Sequence, residues 1–214
     1  LTMLEARGIA FAYKGQRPIY EGFDLAVAPG ERVALQAPSG FGKTTLCQML
    51  AGYLRPAAGE VLVDGRPLPA RGVCPVQMVW QHPEVAIDPR MRMAATLAEA
   101  GVGRAGMRSL DDPSLDADHA RLLRDLGIRD AWLARYPHEL SGGELQRFCI
   151  ARALATRPRY LVADEISTML DAVTQAHIWH VLLAEVERRG AGMVFVSHSP
   201  ALTARIATRV VELG

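Results

Sequence analysis

Between a short apolar run, Val33–Leu35, and a stretch with helically spaced apolar residues (Leu46, Met49, Leu50), the chain places Ala37-Pro38-Ser39-Gly40-Phe41-Gly42-Lys43-Thr44-Thr45. A strand that passes through a glycine-containing loop into a helix is the context in which a chain holds a phosphate. The anion sits on a row of backbone N–H groups at the helix N-terminus. Gly40 and Gly42 would let the backbone come close to the phosphates. Lys43 would set its ammonium on the β/γ-phosphates, and the Thr44 hydroxyl would ligate Mg²⁺. The pattern departs from G-x-x-x-x-G-K-[ST] at its first position, Ala37, where a Cβ restricts the backbone to negative φ. An ordinary Gly-Ser turn before a helix is the bland alternative.

The rest of the chain fits an α/β reading. Its 214 residues suit one domain, or one core with a smaller lobe, and half of them are hydrophobic. The first thirty residues read as short strands, with turns at Lys14-Gly15 and Pro29-Gly30. Val61–Val63 and Val76–Trp80 follow as strands. From about Pro83 to Arg157 helical segments dominate, so residues 83–157 are expected to form an inserted helical lobe, with residues 1–82 and 158–214 as the core. Tyr160–Ala163 and Met193–Ser197 are apolar on both faces and flank a helix at Ala172–Arg188. Such strands favour a parallel sheet covered on both sides.

Charge and cysteines narrow the class. Formal net charge is +1, from 24 basic and 23 acidic residues, which excludes nucleic-acid binding driven by bulk charge. Cys47, Cys74 and Cys149 are odd in number and widely spaced, so a reducing compartment is expected rather than a disulfide framework or a zinc site. No apolar run approaches the roughly 18 residues that span a bilayer, and the N-terminus lacks a charged-then-apolar export signal. The expectation is a cytosolic chain that can dock on a membrane protein.

Two further patterns carry chemistry. Tyr160-Leu161-Val162-Ala163 ends in Asp164-Glu165. At the carboxyl end of a parallel strand, Asp164 would hold the Mg²⁺ hydration shell, and Glu165 would orient or deprotonate a water for in-line attack on a γ-phosphate. Two solvated acids starting a loop are the plain alternative. In Leu140-Ser141-Gly142-Gly143-Glu144-Leu145-Gln146-Arg147, Ser141 and Glu144 have capping-box spacing, and Leu140 and Leu145 have hydrophobic-staple spacing. A helix starting at about Gly142 with small residues offers a second anion-binding end. A second clamp makes sense if it serves a nucleotide bound by another subunit in a symmetric pair; a simple N-cap is the alternative.

Ser141-Gly142-Gly143-Glu144-Leu145-Gln146 resembles the signature of ATP-binding-cassette (ABC) ATPases, and the surrounding motifs fall in that family's order. Ala37–Thr45 is similar to its phosphate loop, Gln81 in Val79-Trp80-Gln81-His82 to its Q-loop glutamine, and Tyr160–Glu165 to its Walker B strand. Ser167-Thr168-Met169-Leu170-Asp171 resembles the D-loop, His198 after Val194-Phe195-Val196-Ser197 the switch histidine, and Tyr13 the aromatic that stacks on adenine. The resemblance implies a P-loop NTPase (RecA-like) core with an N-terminal antiparallel β-subdomain and an inserted helical subdomain. It further implies two cassettes sandwiching two ATP molecules with Mg²⁺, each site shared between the phosphate loop of one chain and the signature of the other. Glu165 would then be the catalytic carboxylate and His198 would touch the γ-phosphate. Gln81 would contact the metal and attacking water, and Asp171 would couple the two sites. On the residues alone, Tyr13 reads equally as a packing side chain, and Gln81 as a polar strand end.

The run Val79-Trp80-Gln81-His82-Pro83-Glu84-Val85-Ala86-Ile87-Asp88-Pro89-Arg90-Met91 is similar to the peptide and nickel importer branch, with His82 and Asp88 replacing the usual Asp and Asn. Asp164-Glu165-Ile166-Ser167 also departs from the usual Asp-Glu-Pro. The implied function is ATP hydrolysis powering import of a small solute through a separate integral membrane permease. The chain would be peripheral on the cytoplasmic face of a bacterial membrane, in a homo- or heterodimer of cassettes. A soluble ABC ATPase acting on DNA, ribosomes or iron–sulfur assembly is the alternative. The interval from Lys43 to Ser141 has no room for a heptad arm, and one cassette is present rather than two. A degenerate regulatory module, suggested by Ala37, conflicts with the presence of Lys43, Asp164, Glu165 and His198.

Overall fold

The computed structural model describes residues 2–167 and 170–213. The chain divides into two compact units, one of residues 1–78, 158–165 and 186–214, the other of residues 79–157 and 166–185. The division falls inside one long helix.

Two sheets organise the first unit. An antiparallel sheet has the order β2-β1-β4-β5, from β1 (Leu4–Phe11), β2 (Tyr20–Val27), β4 (Ala58–Val63) and β5 (Arg66–Pro67). In β1, Leu4, Ala6, Ile9 and Phe11 are buried, so the alternation slips at Gly8. There the register with β2 shifts between Ala6 and Ile9, and Gly8 adopts φ 58°. This is a bulge. Asp24 Oδ1 accepts the Gly8 N–H at 2.7 Å, which keeps the unladdered amide satisfied. A Cβ on Gly59 would lie 2.3 Å from the Gly8 carbonyl oxygen, so β4 crosses the bulge only as glycine.

The second sheet has the order β6-β7-β8-β3-β9, from β3 (Arg32–Gln36), β6 (Val76–Val79), β7 (Tyr160–Asp164), β8 (Gly192–Val196) and β9 (Arg209–Glu212). β3 pairs in parallel with β8 and β9, and β7 in parallel with β8. Every residue of β7 and β8 is buried. That matches the two-faced apolar runs, which only a covered parallel sheet accommodates. Because β3, β7 and β8 run the same way, their carboxyl ends fall on one edge. The segments after Gln36, Asp164 and Val196 therefore leave from that edge. α1 (Lys43–Leu50) follows β3, and α7 (Pro200–Ile206) follows β8, N-capped by the Ser199 hydroxyl on the Leu202 N–H.

The second unit is helical. It contains α2 (Met93–Ala98), α3 (Ala117–Asp125), α4 (Asp130–Leu133), α5 (Gly142–Ala155) and most of α6 (Ala172–Arg189), with single 3₁₀ turns at Pro83–Val85 and Pro137–Glu139. Asp116 caps α3 through the His119 N–H at 2.8 Å. α5 carries Phe148, Ile150 and Ala151 fully inside, and Leu97 of α2, Leu123 of α3 and Leu133 of α4 are buried in the same unit. Trimming one such leucine to alanine would cost about 2–5 kcal/mol.

Candidate nucleotide site

In the first unit the phosphate-type loop leaves β3 and turns into α1 at Gly42, which has φ 90° and offers no side-chain cap. The first-turn amides of α1 therefore have no competing side-chain acceptor. Gly40 has φ 82°, and a Cβ there would meet nothing within 4 Å, so the backbone is open to an approaching ligand. Gly42 also has close neighbours on its other side. A Cβ there would lie 2.4 Å from Ile19 Cγ2, and the Tyr20 hydroxyl donates to the Gly42 carbonyl at 2.9 Å. Burial pushes the Tyr20 phenol up, so it stays a donor. Ile19 and Tyr20 thus brace the loop from beneath, and no local motif announces them.

Ala37 lies outside the left-handed region, so its Cβ causes no backbone strain. Lys43 is buried, with Nζ donating to the carbonyls of Ala37 at 2.9 Å and Pro38 at 3.2 Å. These bonds fold the ammonium back over the loop, where a phosphate could replace two neutral acceptors with a charged one. The Pro38 carbonyl also takes the Phe41 N–H at 3.3 Å, which closes the turn that contains Ser39. The Tyr13 hydroxyl lies 3.1 Å from Thr45 Oγ1, and its ring stands edge-on to Phe11 at 5.0 Å. Tyr13 is 41% exposed and therefore has a free ring surface beside the loop.

The acidic pair stands at the same sheet edge. Asp164 is 2% exposed, and burial pushes its carboxyl pKa up, while a hydrogen bond from the Thr44 hydroxyl pulls it down. Among the described residues its Oδ1 is buried with no hydrogen-bond partner. A buried, half-satisfied carboxylate beside a hydroxyl is a hard-oxygen donor set, and it fits Mg²⁺, which Thr44 and Asp164 would hold. Glu165 takes φ 49°, a left-handed conformation that costs a non-glycine residue about 1–3 kcal/mol. Its N–H donates to the Val196 carbonyl at 3.2 Å, which fixes the turn. His198 Nε2 then meets Glu165 Oε1 at 2.8 Å. Beneath the cluster, burial pushes the Cys47 thiol well up, and the charges of Asp164 and Glu165 push it further while Lys43 opposes them.

Within the second unit, Ser141 and Glu144 form the reciprocal box expected of them. The Glu144 N–H donates to Ser141 Oγ at 3.3 Å, and the Ser141 N–H to Glu144 Oε2 at 2.8 Å. Ser141 and Gly142 are exposed, and a Cβ on Gly142 would meet nothing within 4 Å. A Cβ on Gly143 would press Leu170 Cδ2 at 3.2 Å. Gln146 is turned inward: it is 2% exposed, and Nε2 donates to the Trp80 carbonyl at 3.1 Å. Its side chain therefore bonds within its own unit, not outward with Ser141 and Gly142. Gln81 and Gln146 line one cavity of about 70 Å³ with His82, Gly142, Ile166 and Leu170. Asp171 starts α6, with Oδ1 accepting the N–H groups of Val173 at 3.1 Å and Thr174 at 3.0 Å. Hydrogen bonds from Thr174 hold its carboxyl below the usual range. Ser167 Oγ accepts from Gln175 Nε2 and Trp179 Nε1. Thr168 and Met169 of the D-loop reading lie outside the described residues.

The structure thus brings Tyr13, the 37–45 loop, Asp164, Glu165 and His198 together in one unit, and Gln81, the 141–146 segment and Asp171 in the other. Among the described residues no helix is long and apolar enough to cross a membrane.

Comparison with known proteins places the chain in a family. The family model described as ABC transporter matches residues 20–168. The chain is 36% identical over 198 residues to the nickel import ATP-binding protein NikE of Rhodospirillum rubrum, covering 88% of this chain and 70% of the relative. It is 28% identical over 212 residues to the nickel import system ATP-binding protein NikE of Staphylococcus aureus, covering 99% and 86%. Among solved structures it is similar to the dimeric post-hydrolysis state of the ATP-binding cassette MJ0796 bound to ADP and Pi. The TM-score is 0.81 at 25% identity, over 99% of this chain and 94% of that one. A structure of an ATP-binding subunit of an ABC transporter gives a TM-score of 0.78 at 24% identity, over 99% and 86%. With its P-loop α/β core, its helical unit and a family match across most of its length, the chain belongs to the ABC transporter family as an ATP-binding, ATP-hydrolysing protein.

Proposed function

We propose that this chain is the ATPase subunit of an importer that moves a small solute, nickel or a peptide, through a separate membrane permease. The names of the relatives NikE support the substrate class. In this reading the chain sits on the cytoplasmic face of a bacterial membrane and works as one of two paired cassettes. The dimeric MJ0796 cassette supports the pairing. The 83–157 segment is the signature subdomain, and its Ser141-Gly142-Gly143 end, exposed at Ser141 and Gly142, addresses the ATP held by the partner cassette.

The observation that carries the hydrolytic reading is the Glu165–His198 contact of 2.8 Å beside the Lys43 loop. Backbone N–H groups of the 40–45 segment and Lys43 bind the β- and γ-phosphates, and the Tyr13 ring packs on the adenine. Thr44 and Asp164 would hold Mg²⁺, which would supply neutralisation of phosphate charge. Gln81 orients the attacking water. Glu165 accepts that water's proton as its oxygen bonds the γ-phosphorus and the bond from the γ-phosphorus to the β–γ bridging oxygen breaks, releasing phosphate and ADP. His198 Nε2 holds the Glu165 carboxylate from one side in the nucleotide-free chain and turns its N–H to a γ-phosphate oxygen once ATP is bound. Asp171 links the paired sites.

The test is Glu165→Gln. It keeps the shape and removes the base, so turnover falls by roughly 10²–10⁴-fold while ATP binding persists. Light scattering then detects an ATP-dependent dimer. Parent-like turnover would take Glu165 out of the catalytic role, and a monomer at saturating ATP would remove the paired-cassette reading.

A further inference from the structure

Three donors on one face of α5 bond three carbonyls of a single segment. Gln146 Nε2 donates to Trp80 O at 3.1 Å, Cys149 Sγ to Pro83 O at 3.6 Å, and the Arg152 guanidinium to Ala86 O. Each pair is separated by 66 residues. The donors stand at i, i+3 and i+6 of an α-helix, one face. Their acceptors step by the same three residues along a segment that contains the 3₁₀ turn Pro83–Val85, where three residues make one turn. The result is a ladder that runs from the residue before Gln81 to the far end of that turn. Arg152 is further tied to Glu99, just past α2, at 3.7 Å.

Packing alone does not account for the choice of an amide at Gln146. Gln146 Oε1 is buried with no hydrogen-bond partner among the described residues. Such an orphan is a cost to the fold, and the bond that the other end of the amide makes to the Trp80 carbonyl offsets it. What the amide supplies is direction: it fixes the Trp80 carbonyl, hence the peptide plane that carries Gln81. Cys149 is buried, and burial pushes its thiol up to about 12, so it remains a protonated donor.

We infer that Gln146, Cys149 and Arg152 are positioning residues for hydrolysis: they splint residues 80–86 to the signature helix, so that Gln81 moves with Ser141–Gly143 as one body. This rests on the reading of Gln81 as the residue that orients the attacking water. Occupation of the signature end by a nucleotide would then be felt at Gln81 through α5 itself.

The experiment measures steady-state ATP hydrolysis by the purified chain at a concentration where it pairs, with thermal unfolding as a check on folding. Gln146→Leu and Arg152→Ala are expected to lower kcat roughly 10- to 100-fold, because misplacing a reacting group by about 1 Å costs that much. KM for ATP stays within about twofold, since the nucleotide contacts are untouched. Cys149→Ser keeps most of the turnover that Cys149→Ala loses, because the hydroxyl donates the same bond. Gln81→Ala combined with Gln146→Leu is no slower than Gln81→Ala alone. If the ladder variants turn over at the parent rate while Gln81→Ala is slow, the ladder is packing only and the Gln81 reading survives. Multiplicative losses in the double variant overturn the route through Gln81. A fully active Gln81→Ala removes the Gln81 reading and this inference with it.

Discussion

His198 Nε2 stands 2.8 Å from Glu165 Oε1, and the two approach from the ends of β7 and β8, neighbouring strands of the parallel sheet. Glu165 follows the last residue of β7, in a left-handed turn held by the Val196 carbonyl at the end of β8. His198 lies two residues beyond that carbonyl. One backbone hydrogen bond therefore sets the distance between two side chains from separate segments. His198→Ala should leave the Glu165 carboxylate without its lateral partner. Turnover is expected to fall roughly 10²–10³-fold, the loss typical of one preorganised donor. The KM for ATP changes by only a few-fold, read from steady-state kinetics.

Asp164 couples stability to function. Its buried carboxyl holds a proton more tightly than the ordinary value of 3.8. The stability it contributes is fully present below that value and is lost as pH rises through the raised folded-state value. Asp164→Asn removes the buried charge. In denaturant titrations at pH 8 the variant should unfold at a higher midpoint than the parent, and the gain should shrink as pH is lowered toward 4. The same variant should lose Mg²⁺-dependent hydrolysis. A lower midpoint at pH 8 would show that the Thr44 bond outweighs burial.

Ala37→Gly restores the glycine of the common phosphate-loop pattern without changing the native geometry, because Ala37 is not left-handed. ATP affinity should stay within about twofold of the parent in a binding titration, since the phosphates meet later N–H groups. Stability should drop by about 0.4–1 kcal/mol through the freer unfolded chain. A severe loss of affinity would mean that the alanine is a local adaptation of the loop.

Gly42→Ala asks for the opposite outcome. The residue has φ 90°, and its Cβ would lie 2.4 Å from Ile19 Cγ2. The left-handed backbone costs about 1–2 kcal/mol, and the clash adds to it. The loop must shift away from Ile19 and Tyr20, so ATP binding should weaken at least tenfold while the melting temperature falls. Calorimetric titration and thermal unfolding read the two effects separately.

Much of the site was legible in the sequence because its parts are local. The strand–loop–helix order around Lys43, the two-faced apolar strand ending in Asp164 and the Ser141/Glu144 box each specify backbone geometry within a few residues. Ile19 and Tyr20 were not legible as loop supports, because nothing near them in sequence points to Gly42. Gln146 read as part of the signature, yet its side chain faces inward to Trp80, since helical spacing puts it on the buried face with Leu145 and Cys149.

The amino-acid sequence by itself determined the local anion-binding ends, the apolar β7 and β8 runs and the family motifs, because backbone periodicity and glycine placement act over short range. Only the tertiary structure decided the order β6-β7-β8-β3-β9, the meeting of Glu165 with His198 and the bonds from α5 to residues 80–86. Those depend on which distant strands and helices pair. Pairing is settled by the register of whole buried surfaces packed against one another, a property that no short stretch of sequence carries.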